Sequence, residues 1–415
     1  MRWLSSVSSY LGAFAALVSL STSVILQNGQ VRETDFLDTS VASIGSNSTG
    51  WKTYGPNATE LSYKGRWDSK HISWWAAPGL KFGFSGQDVA ITFGNHTSPG
   101  VLVAYRVSGL DWQFTNITAG GTHHLVSPQR TPGLNATLPW QLPLSFELRV
   151  TNWAYGVQIQ AVHVAAASSL IKLPNHGRNI EFIGDSLTSG MYATYEAFSG
   201  FGYSIGAGLG DAEFSITAYP GICLHDAECW GNPRGQTFQW FQTSDTSPRA
   251  ADLYGAHPEP WDFAAHQPAD LVLINLGTND NNTANNVAAA DYLASYIRFV
   301  REVHDVYPQA QIIIMSLWNG FGAVGSSYRQ AGAFVDEIYQ VYEHYKDDGF
   351  VHYFNSTGIL QHNDIGPQWH PTDFGHIKVA AHVLQYIRLK FGWEFAATGP
   401  EVQHETLYWN DESGY

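Results

Sequence analysis

Between residues 176 and 395, continuously apolar runs alternate with long stretches of helical periodicity, and this alternation restricts the fold more than any other feature. The runs "NIEFIG", "DLVLINLG" and "QIIIMSLW" are too uniformly apolar for strands with one wet face, so both faces must be covered. "AAADYLASYIRFVREVHDVY" and "AGAFVDEIYQVYEHYKDD" repeat apolar residues three and four apart, as helices packed on a sheet do. A last strand, "FVHYF", precedes the helical "HIKVAAHVLQYIRLKFG". Buried strands alternating with amphipathic helices predict a parallel sheet between two helix layers, a three-layer α/β/α sandwich.

Residues 35–167 have another texture. Short apolar or alternating runs, "ISWWAAPGLKFGFSG", "DVAITFG", "VLVAYRV", "LSFELRV" and "VQIQAVHVAAA", are separated by Gly, Pro and Asn clusters, without helical period. This predicts an antiparallel β-sandwich, a jelly roll. A chain of 415 residues exceeds one hydrophobic core. The expected order is therefore a β-sandwich domain over 35–167, an α/β/α domain over 176–395, and an irregular tail over 396–415.

The opening "MRWLSSVSSYLGAFAALVSLSTS" has one basic residue and an apolar stretch short for a membrane span, so residues 1–23 read as a secretory signal peptide. A secreted, extracellular protein without stable membrane insertion is expected. Sequons at Asn47, Asn57, Asn95, Asn116, Asn135, Asn281 and Asn355 fit that route. The two cysteines, Cys223 and Cys229 in "GICLHDAECWG", then predict one small-loop disulfide. With no second Cys pair and no H-E-x-x-H element, no metal is expected. A formal charge of -15, with 21 basic against 36 acidic residues, excludes a nucleic-acid surface. A monomer is the expectation.

In an open parallel sheet, functional groups collect beyond the carboxyl ends of the strands. Ser186 of "GDSLTSG" follows the first predicted strand, where it gives way to a helix. "GTND", residues 277–280, follows "DLVLINL", and "WHPTDFGH", residues 369–376, precedes the last helix. All three belong on one edge. A serine nucleophile needs a base, commonly His, and fixed donors for the oxyanion. Asn279 and the backbone amides of Ser186 and Gly221 could supply those donors, although Gly221 is equally readable as a turn glycine. Ser186 is not in a G-x-S-x-G elbow, because residue 188 is Thr.

The chain resembles the SGNH or GDSL hydrolases. "GDSLTSG", "AYPGIC", "GTND" and the His-Pro of "WHPTDFGH" match their blocks in order between residues 184 and 376. The preceding sandwich, with "YKGRWD" and "WDF", narrows the resemblance to carbohydrate esterase family 2, which removes acetyl groups from xylan and related glycans. The resemblance implies a carboxylic ester hydrolase without a cofactor, acting on an acylated polysaccharide or oligosaccharide. It also implies Ser186 as nucleophile and His370 as base, the His directly before Pro. His376 is the rival, since Asp373 to His376 fits an Asp-x-x-His pattern. Pro371 and a Thr372 or Asp373 cap would put His376 inside the helix and leave His370 in the loop before it.

The acid that often precedes this His is missing, since residues 367 and 368 are Pro and Gln. A main-chain carbonyl around Gln368, or Asp364, would then orient His370. Trp261, Trp318 and Trp369 lie near the predicted edge and are candidates for stacking on sugar. Two alternatives stay open: an SGNH esterase or lipase for other acyl esters, and an inactive carbohydrate-binding glycoprotein.

Overall fold

The computed structural model describes residues 36–45, 48–134, 143–366 and 369–396, and the backbone of Ile25–Gln27 and Gln30–Arg32. The signal segment, Asn47, Asn135, Gln368 and the tail from residue 397 lie outside the described residues.

Five strands form the parallel sheet in the order Val351–Phe354, Gln311–Met315, Leu271–Asn275, Arg178–Gly184, Ala212–Ala218. Their side chains alternate between two cores. Ile180, Phe182, Leu273 and Ile313 face the helices Phe201–Gly208 and Asp373–Phe391. Ile183, Val272, Ile274 and Ile312 face Ala289–Val306 and Val335–Tyr345. Both faces are thus covered, which is why these strands read as continuous apolar runs. From the Arg178–Gly184 strand the chain first builds outward to one side and then returns to build the other. The reversal falls between Arg178–Gly184 and Leu271–Asn275, the place where such sheets open a crevice.

The antiparallel part is a sandwich. One sheet orders Ser40–Val41, Thr122–Val126, Val89–Phe93, Ile159–Ala165 and Trp51–Tyr54. The other runs from Ser73–Phe84 through Leu144–Val150 and Val101–Val107 to Gln113–Ile117. Leu80, Phe82, Val89, Ile91 and Phe146 fill the space between.

The two parts share a strand. Ser73–Phe84 pairs with the sandwich along its second half, while Ala76 pairs with Ile216 at the edge of the parallel sheet. Close by, the buried Arg66 guanidinium meets Glu181 at 3.0 Å and also donates to the Gln242 carbonyl at 2.6 Å. Glu181 further accepts from Thr217, Trp240 and Tyr307. The one polar residue in "NIEFI" other than Asn179 is therefore the anchor of a network that ties sandwich to sheet.

Two local expectations differ. The helical reading of "AGAFVDEIYQVYEHYKDD" holds only from Val335, because residues 331–333 complete an antiparallel hairpin of Leu317–Val324 and Ser327–Ala333. Gly325, at φ 64°, and Ser326 make its two-residue turn, which needs such a glycine. Ser186 also lacks a helix directly behind it. The segment after it is a run of turns, and the first α-helix begins at Phe201.

Candidate active site

The Arg178–Gly184 strand ends where "GDS" begins, and the turn is closed by its own backbone. The Ser189 N–H donates to the Asp185 carbonyl and the Met191 N–H to the Ser186 carbonyl. Gly184 is required here, because a Cβ would overlap the Thr188 side chain. Ser186 is thereby held at the carboxyl edge, 6% exposed.

Asn279 gathers the neighbouring loops. Its Nδ2 donates to the Ile222 carbonyl at 2.9 Å and reaches Asp185 Oδ2 at 3.4 Å. One amide thus bridges the loops that carry Ser186, Gly221 and Asn279. The contact to Asp185 is the longer of the two. Gly277, at φ 129°, lets this loop pass the Tyr292 hydroxyl, which donates to the Leu276 carbonyl. Gly221 adopts φ 77°, and a Cβ there would meet Trp230 and Asn232.

Behind these groups lie two buried acids. Asp185 accepts from the Leu187 N–H, and Asp280 accepts from the Leu224 and His225 N–H groups. Burial raises Asp185 to about 7, assisted by Asp280, and raises Asp280 to about 6. Asp185 therefore keeps its proton up to near neutrality.

The two histidines have different environments. His376 lies inside the Asp373–Phe391 helix, fully buried, with Nδ1 accepting the Phe201 N–H at 3.2 Å. Burial pushes it down to about 3, so it is a neutral structural group. His370 sits in the loop ahead of the helix, partly exposed, and meets the Tyr192 ring edge-on at 5.0 Å. Tyr192 belongs to the turns that follow Ser186. The same two segments are clamped by Asp373, which accepts the Thr194 N–H at 2.9 Å and the Thr194 hydroxyl. The His370 loop is in this way docked onto the Ser186 loop.

The remaining candidates divide. Asp364 is paired with Lys378 at 2.6 Å and caps its own turn through the Gln361 N–H, so its carboxylate has partners other than His370. Gln368 is outside the described residues. Trp369 is 42% exposed beside His370, its indole lying where a Cβ on Gly320 would be. Trp318 is 2% exposed and packs edge-on against Phe201, so it presents no open face. Trp261 is a correction. It stacks on His266 at 4.0 Å and lies near Arg66, in a recess shared with Asn179 and Glu213, at the amino ends of the strands. "WDF" leads into a strand rather than out of one, and that puts it on the opposite edge. Cys223 and Cys229 are disulfide-bonded. Asn57, Asn95, Asn116, Asn281 and Asn355 are all exposed. Among the described residues there is no group of three or more His, Cys, Asp or Glu side chains fit to hold a metal, and no helix long and apolar enough to cross a membrane.

Sequence reasoning passed over Trp230. It is 57% exposed, directly follows Cys229, and stands against Gly221. Its place beside a predicted disulfide and next to the second motif was the available signal.

A jelly roll followed by an α/β/α layer, with serine, asparagine and histidine loops at the switch point, defines the class of SGNH-type hydrolase scaffolds. Residues 182–378 match the GDSL-like Lipase/Acylhydrolase family. A curated relative, an acetylxylan esterase / glucomannan deacetylase of Cellvibrio japonicus, is 25% identical over 245 residues, covering 54% of this chain and 62% of the relative. The chain thus spans less than two thirds of that relative's length. A family two carbohydrate esterase from Clostridium thermocellum, solved with cellohexaose, superposes with a TM-score of 0.62 at 21% identity, over 80% of this chain and 100% of that one. The acetyl xylan esterase Est2A from the rumen bacterium Butyrivibrio proteoclasticus gives 0.63 at 17% identity, over 83% and 100%. At these identities the two structures establish a shared fold.

Proposed function

We propose that this protein is a secreted serine esterase that removes acetyl or other short acyl groups from polysaccharides such as acetylated xylan. The observation that carries the reading is the Asn279 amide, which holds the Ser186, Gly221 and Asn279 loops together at the sheet's switch point. The names of the relatives support the substrate class.

In this reading Ser186 Oγ attacks the ester carbonyl while His370 takes its proton. The oxyanion is received by Asn279 and by the amides of Ser186 and Gly221. As the C–O bond breaks, His370 returns the proton to the departing sugar hydroxyl, leaving acyl-Ser186. Water, deprotonated by His370, then releases the carboxylic acid and restores the serine. No metal or organic group enters these steps.

Acetate release from acetylated xylan and glucomannan, compared between the wild type and Ser186→Ala, tests the reading. The variant is expected to lose at least about a thousand-fold in kcat, as loss of a nucleophile does elsewhere. Turnover of a long-chain ester alone would keep the serine chemistry and replace the substrate. Saturable glycan binding with no turnover of any ester would overturn the enzyme reading.

A further inference from the structure

Trp230 occupies a position that stability alone does not favour. Cys229 and Asn232 exchange both backbone hydrogen bonds, at 3.0 and 2.9 Å, so Trp230 and Gly231 are the two central residues of a tight turn. Both have positive φ, 50° and 82°. Glycine accepts that conformation freely, whereas for a bulky L residue it is strained. The turn is held from three sides. Cys229 is bonded to Cys223, the Asn232 amide donates to the Pro220 and Cys229 carbonyls, and the Thr246 hydroxyl donates to Asn232 Oδ1.

The other apolar side chains of the loop are turned inward. Ile222, Cys223, Leu224 and Cys229 are fully buried, while the indole of Trp230 stands in solvent. A braced loop has therefore spent backbone strain to keep one large aromatic outside. Its location gives the reason. A Cβ on Gly221 would fall 2.9 Å from Trp230 Cβ, so the indole rises directly beside a proposed oxyanion donor. The nearby Asp226–Arg234 ion pair, exposed on the same loop, supplies polar groups at the rim.

We propose that Trp230 is a stacking face for a sugar ring of the substrate, fixed by the Cys223–Cys229 loop on the Gly221 side of Ser186. A sugar suits the site because an isolated aromatic face, flanked by hydrogen-bonding groups, matches the apolar face and polar perimeter of a pyranose. A protein partner would call for a contiguous apolar patch of several hundred Å2. Trp369, also exposed, stands beside His370. The assignment rests on the polysaccharide reading above.

Trp230→Asn tests it with little risk to folding, since asparagine tolerates the left-handed backbone while removing the indole. KM and kcat for acetylated xylan and for 4-nitrophenyl acetate are measured for the wild type, Trp230→Asn and Trp230→Tyr. We expect KM for the polymer to rise about three- to ten-fold in Trp230→Asn, as loss of one stacking partner implies. Its kcat, and both constants for 4-nitrophenyl acetate, stay within about two-fold, and Trp230→Tyr recovers most of the polymer KM. Unchanged polymer KM, or equal losses on both substrates, would overturn the assignment while leaving the deacetylase reading intact. A wild type that releases no acetate from any polymer would sink the substrate reading and this assignment with it.

Discussion

At the scale of single residues, enclosed charge sets a pH dependence. Glu196 is half-buried beside Asn152, whose amide donates to it, and its carboxyl is raised to about 7 by the loss of hydration. A carboxyl with a raised native pKa supports folding below its ordinary value of 4.5, and that contribution is lost as the pH climbs through 7. Glu196→Gln should therefore gain on the wild type with rising pH. Denaturant midpoints at pH 5 and pH 8 should show little difference at the first and an advantage on the order of 3 kcal/mol at the second. Equal differences at both would mean that Glu196 ionises freely. This residue was illegible in the sequence, because nothing in "TYEAF" distinguishes a half-buried glutamate from a wet one. Ser186, Gly221 and Asn279 were legible because motif letters at strand ends carry their own placement. Trp230 was not, since its exposure depends on a turn that the disulfide imposes.

Elements read well where one period runs long, and poorly where a short ribbon interrupts it. The strands and helices of the parallel sheet announced themselves by burial on both faces. The hairpin Leu317–Val324 and Ser327–Ala333 did not, as its Gly-rich strands have neither period strongly. Trp261 was misplaced for a related reason, since the sequence gives no direction for a loop that crosses from one edge to the other. The Asp373–Phe391 helix shows what a helix start can do for chemistry. Thr372 caps it by accepting the Gly375 N–H, and Asp373 in its first turn grips Thr194. That grip sets the His370 loop against the Ser186 loop. Asp373→Asn, which can accept with only one oxygen, is expected to lower kcat on a small ester about ten- to hundred-fold with KM little changed, the signature of misplaced groups. A change in KM alone would show that the clamp serves binding instead.

The whole molecule is held by a seam that no local pattern revealed. Arg66 comes from the sandwich and Glu181 from the parallel sheet, and each is buried with the other as its counter-charge. Removing one partner strands the other, so Glu181→Gln should cost about 3–5 kcal/mol in urea unfolding, while joint replacement by apolar residues of similar volume should cost less. A smaller loss for the single change would mean that water reaches the guanidinium. The shared strand Ser73–Phe84 has a different consequence, for how such a chain can be cut and recombined. It covers the outer edge of Ala212–Ala218, and a fragment beginning at residue 176 would present that row of N–H and C=O groups to any passing strand. The two halves look like interchangeable modules in a diagram, yet a gene fusion that swaps one must carry the other's edge with it or express an aggregating product.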